Sequence, residues 1–413
     1  MRILTGSAAA ATVNRLSQRS AVFSGLEPRV RRIIDSVRRE GDRALRRYAE
    51  KWDGLGDRQP FRVSEEEMAR ALEEISPKMR RSLQQAMANI RHFSETQKLR
   101  SWNRTRAGIT LGQVVRPLGA VGCYVPGGRH PLVSTLLMTV IPAQTANVKN
   151  IRVVSPKPSR ALLAGAAMLQ VHEFYRIGGA QAIAALAYGT RSVARVDKIV
   201  GPGNAYVTAA KKLVAFDCAI DFLAGPTEAL LMSDSGNADF IASDLVAQAE
   251  HDPDTLSVFI TTSQPLARSV SKSVARFVEG NSIATESLRR RGAILVATSH
   301  DEAREWANRL APEHITVEEE DLPFIENAGS IFVGDFSAQA AGDYASGPNH
   351  VLPTAGQARF RGGLSVLDFV KVITVQQLSA KGLRRIAPTL ECMAEAEGLV
   401  GHAESIRLRC KNA

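Results

Sequence analysis

From about residue 113, short apolar runs rich in β-branched residues alternate with longer stretches whose apolar residues recur at helical spacing. This alternation is typical of parallel βαβ units, in which each helix crosses over the sheet to the next strand. The predicted strands of this first series are Val114–Tyr124, Ile151–Val154, Phe174–Ile177, Lys198–Val200 and Ile220–Leu223. The predicted helices between them cover 133–147, 160–171, 180–189 and 203–215.

A second series of the same kind follows, so we expect two α/β lobes in tandem. Its predicted strands are Ala229–Met232, Leu256–Thr262, Ala293–Val296 and Ile331–Val333. Its predicted helices cover 237–251, 264–278, 299–310 and 321–327. The length of 413 residues exceeds what one hydrophobic core usually serves, which agrees with two lobes.

The segments outside the two series do not show this alternation of strands and helices. Residues 1 to about 110 are expected to be helical, with helices at 27–51, 64–76 and 77–99. After residue 335 the chain is rich in glycine and proline, and a long loop of this kind in a compact enzyme is usually functional. A last helix over Ser379–Val400 leads to a short tail, which we expect to dock elsewhere, for instance on a partner subunit.

The formal net charge of +10 raises the question of a polyanionic partner. The basic excess is concentrated between Arg29 and Lys51, where apolar residues nonetheless recur at helical spacing. A solvated helical face explains this segment better than a nucleic-acid surface, since no zinc-finger, RNA-recognition or basic-zipper pattern accompanies it. We therefore expect no nucleic-acid partner, and a basic nucleic-acid-binding protein is the alternative from a different functional class.

Cysteine usage and hydropathy indicate the compartment. The four cysteines form no CxxC pair and suggest no disulfide framework, which fits a reducing environment. No run of eighteen apolar residues is present, and the N-terminus lacks the long apolar region of a signal peptide. The sequence therefore predicts a cytoplasmic protein that does not associate with membranes.

Three glycine-rich turns lie between strand and helix in the first lobe, at Tyr124–Gly128, Gly178–Gln181 and Gly201–Tyr206. Turns in this position lie at the carboxyl ends of parallel strands, where cofactors bind in open α/β sheets. Glycine lets backbone approach a ligand closely, and helix N-termini attract phosphate. None of the turns matches the GxGxxG fingerprint, yet three in succession indicate a nucleotide site.

The segment Asp239–Pro253 of the second lobe is predicted to be a helix that stops before its proline. Gln248 and His251 are three residues apart, so both project from one face of the last turn. An imidazole and an amide oxygen side by side can hold a divalent metal. By spacing alone, however, an ordinary helix end explains the pair better than a metal site.

Other polar residues that could take part in catalysis or binding are scattered along the chain. Glu313 and His314 are adjacent before a strand and form a candidate acid–base pair. The remaining candidates lie in the late loop and near the end of the chain: Asp343, His350, Glu397 and His402. Each has an ordinary explanation by itself. A Gln–His helix pair with a distant Asp and His would suit zinc, but spacing does not assemble that set.

Taken together, the motifs of this chain resemble the histidinol dehydrogenase family from about residue 28 to 409. They are GCYVPGG, LLMTVIPAQTANV, IGGAQAIAALAYGT, VDKIVGPGNAYVTAAK, DFLAGPTE, DLVAQAEHDP, RLAPEHI, GDYASGPNHVLPT and EGLVGHAESIRLR, in this order. The resemblance implies an α/β fold of two Rossmann-like α/β lobes with a helical N-terminal segment and a small C-terminal tail segment. The expected division is an N-terminal segment at 1–123 that contributes to the first lobe, an NAD-binding lobe at 124–228, a second lobe with the metal and catalytic residues at 229–366, and a tail at 367–413 that is exchanged in a homodimer.

The family oxidises L-histidinol through L-histidinal to L-histidine with two NAD+, in histidine biosynthesis. By resemblance, His314 would be the general base for the hydroxyl proton, and Glu313 would activate water on the aldehyde. One zinc ion per subunit would orient the substrate without acting as a redox centre, and its implied ligands are Gln248, His251, Asp343 and His402. The residues implied to contact the substrate also include Thr227, His350 and Glu397. The residues implied to contact NAD are Tyr124, Gln181 and Asn204.

The chain departs from the family pattern in places. Thr227 stands where the family usually has serine, and its added methyl group crowds the pocket. Two further features are more typical of relatives that oxidise other alcohols, such as sulfonated diols. They are Arg129–His130 after the first turn and Arg361–Gly363 in the late loop. Glu397 and His402 are intact and favour histidinol. L-Histidinol is therefore the expected substrate, and a paralogue that acts on another alcohol is the alternative.

Overall fold

The computed structural model describes residues 1–19, 25–127 and 132–411. Its strands are β1 (Arg2–Thr5), β2 (Arg62–Val63), β3 (Trp102–Arg106), β4 (Ile109–Pro117), β5 (Ala120–Tyr124), β6 (Asn150–Val154), β7 (Glu173–Tyr175), β8 (Lys198–Val200), β9 (Ala219–Ile220), β10 (Glu228–Met232), β11 (Leu256–Thr261), β12 (Ala293–Val296), β13 (His314–Val317), β14 (Ser330–Val333) and β15 (Val370–Leu378). Its helices are α1 (Gly6–Ser17), α2 (Glu27–Glu40), α3 (Asp42–Tyr48), α4 (Glu65–Glu74), α5 (Pro77–Thr96), α6 (Val133–Thr145), α7 (Arg160–Met168), α8 (Gly179–Tyr188), α9 (Ala205–Val214), α10 (Ala238–Ala249), α11 (Gln264–Phe277), α12 (Ser282–Arg291), α13 (His300–Leu310), α14 (Gln339–Tyr344), α15 (Ala380–Ala396) and α16 (Val400–Lys411). None of the helices in these ranges is long and apolar enough to cross a membrane.

Each lobe is organised around a six-stranded sheet. The order in the first lobe is β2-β7-β6-β5-β8-β9, and the order in the second is β1-β12-β11-β10-β13-β14. Both sheets are parallel apart from the short β2, which runs antiparallel to β7. Counted from β5 and from β10 as the first strand, both sheets have the strand order 3-2-1-4-5, which is that of a doubly wound fold. The predicted fold class of two Rossmann-like α/β lobes is confirmed.

The N-terminal segment holds a strand that the sequence pattern did not predict. β1 pairs with β12 at the edge of the second sheet, with Arg2 opposite Ala293. Helix α1 then returns over that sheet and buries Ala9, Val13 and Leu16, which lie on one helical face. A strand of four residues next to a glycine leaves little periodicity in the sequence. It forms because the open edge of β12 supplies its hydrogen-bond partners.

Two predicted elements are split in the structure. The helix expected over 27–51 ends at Glu40, because Gly41 has φ 58° and ψ −130°, which no helical residue adopts. The strand expected over Val114–Tyr124 is two strands in different sheets, β4 and β5, separated by 118–119. Pro117 ends β4, since proline has no N–H to continue a ladder.

The segments after residue 317 also differ from the prediction. The helix predicted at 321–327 is a 3-10 turn over Glu319–Phe324, with Pro323 inside it. β15 was not predicted; it pairs with β4 in a three-stranded antiparallel sheet. The helix predicted over Ser379–Val400 ends at Ala396, and a second helix, α16, follows Gly398, which has φ 72°. The tail is therefore a helical hairpin.

The direction of the strands decides where side chains meet. In the second lobe, helices return antiparallel to the strands, so the last turns of α10 and α14 lie beside the first residues of β10 and β13. The late loop then crosses to the first lobe, whose apolar core it completes with Val351, Leu364, Val366 and Phe369. The amino edge of the second sheet therefore faces the first lobe through this loop.

Candidate active site

A cavity of about 440 Å³ opens at the carboxyl edge of the first sheet. It lies between β5 and β8, where the strand order reverses, which is the usual ligand position in open α/β sheets. Its lining includes all of the residues predicted to contact NAD: Tyr124, Gln181 and Asn204. The volume lies within the range of cofactor pockets.

The three side chains are fixed in different ways. The Tyr124 hydroxyl accepts a hydrogen bond from the Gly179 N–H at 3.1 Å, and burial raises the pKa of Tyr124 to about 12, so its own proton remains available. Gln181 donates from Nε2 to Asp53 Oδ2 at 3.1 Å, while its buried Oε1 has no partner among the described residues. Asn204 caps α9 by accepting from the N–H groups of the next turn.

Close packing explains why the turns around this cavity need glycine. A Cβ at Gly127 would lie 1.9 Å from the Pro156 carbonyl oxygen. Gly201 has φ 109°, and a Cβ there would lie 2.2 Å from the Tyr124 carbonyl oxygen. The turns therefore bring backbone against backbone and leave the space above them open to a ligand. Gly128 and the Arg129–His130 departure lie outside the described residues.

Three charged residues of the cavity were missed by the sequence reasoning. Arg29, Asp53 and Lys157 line it together with the glycine-rich turns. Burial raises the pKa of Asp53, whereas hydrogen bonds from Gly178 and Gln181 oppose that rise. Arg29 could have been suspected from its basic helix, but nothing in the sequence singled out Asp53 or Lys157. The two cations make the cavity suitable for a phosphate-bearing ligand.

The second group of candidates gathers at the amino edge of the other sheet. Gln248 is in the last turn of α10 and donates from Nε2 to Asp343 Oδ2 at 3.1 Å. Its Oε1 atom is buried and has no hydrogen-bond partner within the described ranges. A buried acceptor without a partner is costly, so it suits an electrophile such as a metal ion. His251, exposed one turn further on, donates its N–H to the Gln248 carbonyl at 3.3 Å.

Glu313 and His314 are buried at the start of β13. Glu313 Oε2 accepts from the Glu228 N–H at 2.9 Å and lies 3.8 Å from His314 Nδ1. On its other side, His314 Nε2 lies 3.8 Å from Asp343 Oδ1. His314 Nδ1 is buried without a hydrogen-bond partner among the described residues. The pair is therefore held by β13 itself and directed towards Asp343.

Burial changes the protonation of this pair in opposite senses. It lowers the pKa of His314 to about 4, so the ring is neutral at pH 7 and can accept a proton. It raises the pKa of Glu313 well above its ordinary value, and the negative charges of Glu228 and Asp343 act in the same direction. A carboxylate with a raised pKa is a stronger base once it is ionised.

His350 joins the two lobes at this point. Its Nδ1 is 2.8 Å from the Asp343 carbonyl oxygen, and its Nε2 is 3.2 Å from Thr135 Oγ1 on α6 of the first lobe. Burial lowers the pKa of His350, and a positive charge on His251 would lower it further. Thr227 directly precedes β10, and its carbonyl accepts from Leu256 N at 2.9 Å. The amino edge thus holds six of the predicted site residues, with His251 close by.

Glu397 and His402 are not brought to this group. Both are exposed; Glu397 directly follows α15, and His402 is in the first turn of α16. In the ranges that the structure describes, no hydrogen bond or ion pair links either side chain to the other candidates, and no cluster of three His, Cys, Asp or Glu suited to a metal is present. Within one chain, Gln248 and Asp343 are hydrogen bonded to each other and His251 follows at the end of the same helix, whereas His402 is not part of this group.

An ion pair between the part-buried Arg19 and the buried Glu228 lies next to Glu313. Arg19 binds Glu228 through two hydrogen bonds, of 2.6 and 2.5 Å, and donates to the Ala311 carbonyl at 3.3 Å. Glu228 also accepts from the Ala355 N–H at 2.9 Å. Because the Glu228 N–H binds Glu313, the pair helps to fix the position of the Glu313 carboxylate. Sequence reasoning did not identify either residue.

The comparisons with known proteins agree along nearly the whole chain. The model of a family described as histidinol dehydrogenase matches residues 16–410. A histidinol dehydrogenase from Methanothermobacter thermautotrophicus is 46% identical over 394 residues, which is 92% of each chain. One from Vibrio vulnificus is 44% identical over 406 residues, 95% of this chain and 94% of the other. The crystal structure of histidinol dehydrogenase from Elizabethkingia anophelis, at 36% identity, superposes with a TM-score of 0.94 and covers 100% of this chain and 98% of the other.

The ion pair of Arg19 and Glu228 predicts strong energetic coupling. In a double-mutant cycle of Arg19→Met and Glu228→Gln, we expect a coupling energy of about 2 kcal/mol or more in the free energy of unfolding by urea, because each single change leaves one member of this part-buried pair without its partner. The exposed pair Arg289 and Glu286 is the matched control, with at most about 0.5 kcal/mol. Equal coupling in the two cycles would contradict the role of the buried pair.

Proposed function

The chain belongs to the histidinol dehydrogenase family, an enzyme family of NAD-dependent oxidoreductases, and on this premise we propose that it oxidises L-histidinol to L-histidine. One observation carries the proposal. A cavity of cofactor size in the first lobe and the buried pair Glu313–His314 in the second are connected through His350, which is hydrogen bonded towards both lobes. A dehydrogenase needs a cofactor pocket and a base brought together in this way.

NAD would occupy the cavity of the first lobe and supply the hydride acceptor for both oxidations. Tyr124, Gln181 and Asn204 are the proposed contacts. Among the described residues, the Tyr124 hydroxyl proton and the Gln181 Oε1 have no partner, so they offer one donor and one acceptor. Arg29 and Lys157, at the rim of the same cavity, are suited to the pyrophosphate.

The proposed metal ligands are Gln248, His251 and Asp343 of one chain, with His402 of the partner subunit. Zinc bound there would hold the amine and imidazole of the substrate beside the catalytic pair. The buried Gln248 Oε1, which has no partner within the described residues, fits this set because a metal would satisfy it. The amide and carboxylate are already oriented by their mutual hydrogen bond of 3.1 Å.

A homodimer with exchanged tails would bring His402 to a site. The tail leaves apolar side chains in solvent, which include Val400 at 71% and Met393 at 58% exposure. On β15, Val372 and Ile373 are also exposed. An exposed apolar surface of this extent marks a protein contact. It supports docking of the tail on a second subunit.

His314 is the proposed base of the alcohol step. Its buried ring is neutral, so it can take the hydroxyl proton of histidinol as the hydride leaves. Asp343, whose Oδ1 lies 3.8 Å from Nε2, would stabilise the positive charge that the ring then carries. The same ring would accept a proton again when the hydrated aldehyde is oxidised. Two oxidations in sequence remove four electrons and consume two NAD+.

Glu313 is the proposed activator of water on the aldehyde. Its raised pKa makes its ionised form a stronger base than an exposed carboxylate, which is what abstraction of a proton from water requires. The Glu228 N–H holds one carboxylate oxygen at 2.9 Å and leaves the other for water. Thr227, His350 and, from the partner's tail, Glu397 are proposed to contact the substrate.

The environment of Arg361 does not favour a sulfonated alcohol as the substrate, although its sequence motif suggested one. The Arg361 guanidinium donates to the Asp221 carbonyl, pairs with Asp368 at 3.4 Å and stacks 4.3 Å from the Phe222 ring centroid. A guanidinium that is engaged on these sides packs the first lobe and is not free to bind a sulfonate. L-Histidinol is therefore the proposed substrate.

The first test of the proposal is product analysis. Purified protein with L-histidinol, NAD+ and zinc is expected to form two NADH for each L-histidine, because both oxidations occur at one site. NADH and histidine would be quantified in the same reaction, with a sulfonated propanediol as the control substrate. NADH formed only with the sulfonated diol, or one NADH per histidinol with histidinal accumulating, would contradict the proposal.

If Glu313 and His314 have these separate roles, replacing each should affect the alcohol and aldehyde oxidation steps differently. Glu313→Gln should slow oxidation of histidinal about 10²-fold or more and affect the alcohol step much less, whereas His314→Ala should slow both steps. Single-turnover rates of NADH formation, started from histidinol and separately from histidinal, would measure each step. Glu305→Gln and His172→Ala, exposed changes away from the site, serve as controls. Equal losses in both steps for Glu313→Gln would refute the assignment.

The exchanged tail predicts complementation between two inactive variants. His251→Ala and His402→Ala homodimers should each lose zinc and activity. After unfolding and refolding as a 1:1 mixture, half of the dimers are mixed and each has one intact site, so about one quarter of the wild-type activity and zinc content should return. If every site were built from one chain, no activity would return, and the tail assignment would fail.

A further inference from the structure

A second concave site lies away from the catalytic residues, at the far edge of the second sheet. It is a cavity of about 300 Å³ whose lining includes four arginines: Arg2, Arg15, Arg290 and Arg291. None of these four arginines is among the proposed catalytic, cofactor-binding or metal-binding residues. The cavity is at the β1–β12 edge, whereas the catalytic pair is at β13, so roughly 19 Å of sheet separates them, at the usual spacing of strands.

The fold brings the four arginines together from three elements. Arg2 begins β1 and lies opposite Ala293, the first residue of β12, in the parallel register. Arg290 and Arg291 end α12, directly before that strand. Helix α1 returns to the same edge and presents Arg15 near its end, on the face that also carries Thr12 of the lining.

None of the four guanidinium groups makes a side-chain hydrogen bond to another of the described residues. Within the described residues, Arg2 and Arg15 have neither an ion pair nor a side-chain hydrogen bond. Arg290 and Arg291 each approach Asp254 Oδ1 only to 3.6 Å, which is too far for a hydrogen bond. By contrast, Arg289, their neighbour outside the cavity, makes hydrogen bonds to both oxygens of Glu286.

The charges do not cancel within the cavity. Asp254 is shared between two of the four arginines, and the carboxylate of Glu286, 3.8 Å from Arg290, is bound by Arg289. The carbonyls at the end of α12 favour positive charge, but only weakly at an exposed position. The positive charge of these exposed guanidinium groups is therefore only partly compensated, and the hollow attracts anions.

We propose that this cavity binds a compact polyanion with at least two phosphoryl groups. Each guanidinium presents planar pairs of N–H donors that match phosphate oxygens, and four of them around one hollow exceed what a single phosphate can engage. The volume admits a small oligophosphate and is too small for a nucleic-acid duplex. The ligand is therefore a metabolite-sized oligophosphate, and it binds outside the NAD cavity.

Inorganic tripolyphosphate is the probe for the test. Calorimetric titration of the full-length protein, in 150 mM KCl and with saturating NAD+ to fill the other phosphate-binding cavity, would measure the dissociation constant. The test variant is Arg15→Gln/Arg291→Gln. The control is Arg70→Gln/Arg81→Gln, which removes the same charge from exposed positions of the first lobe that have no side-chain hydrogen bond in the described structure.

Wild type and control are expected to bind tripolyphosphate with the same dissociation constant, while the test variant binds at least tenfold more weakly, since two charge-assisted contacts are lost. Inorganic monophosphate should bind wild type much more weakly than tripolyphosphate does. Equal weakening in both double variants would indicate non-specific attraction by net charge and would overturn the proposal. So would the absence of binding heat, or tighter binding of a DNA duplex with the same dependence on Arg15 and Arg291. Circular dichroism of both variants would verify that they are folded.

Discussion

Each half of the candidate site lies next to an ion pair, part-buried in one lobe and fully buried in the other, that holds backbone in place. In the second lobe, Arg19 and Glu228 fix the N–H that binds Glu313. In the first lobe, Lys211 and Asp221 are both almost fully buried; Asp221 accepts from the Gly201 N–H at 2.8 Å, and Lys211 donates to the Gly201 carbonyl at 3.0 Å. A buried ion pair is weak support for stability, because desolvation offsets much of the attraction. Both pairs gain from extra hydrogen bonds to backbone, and the result is a fixed loop beside each pocket.

The lobes repeat one topology but use opposite edges of their sheets. The proposed cofactor cavity follows the rule for open α/β sheets, since it lies at carboxyl ends where the strand order reverses. The catalytic pair lies at the amino end of β13, beside the last turn of α10. A repeated fold therefore does not repeat its site, since the candidate residues lie at the carboxyl edge of one sheet and at the amino edge of the other.

Much of the fold could be predicted from the sequence because its central strands are buried and strongly apolar. β12 agrees with the prediction residue for residue, since its flanks change abruptly in character. Elements that depend on distant partners could not be predicted. β15, largely exposed, is a strand because β4 supplies a ladder, and β1 is a strand because β12 has an open edge. Local pattern carries no record of such partners.

The candidate site divides in the same way. Gln248 and His251 share a helix turn, and Glu313 and His314 are adjacent, so local spacing could suggest each pair. Their approach to Asp343 depends on α14, which is six residues long in a stretch that looks like a loop. Asp53, which holds Gln181, comes from a π-helical turn with no motif at all. Resemblance to a family could identify Gln248, His251, Glu313, His314 and Asp343. Only the structure reveals residues such as Asp53 that hold other site residues in place.

The late loop has a mechanical consequence for the enzyme. Asn349 donates to the Met138 carbonyl at 2.6 Å, and His350 bonds to Thr135, so the loop is tethered to α6. A few residues earlier the same segment carries Asp343, which is tethered to α10 of the other lobe. Any rotation of one lobe against the other must strain this short span first. The loop therefore helps to set the distance between the two groups of candidate residues, and a change in its length would alter that distance without replacing a residue of either group.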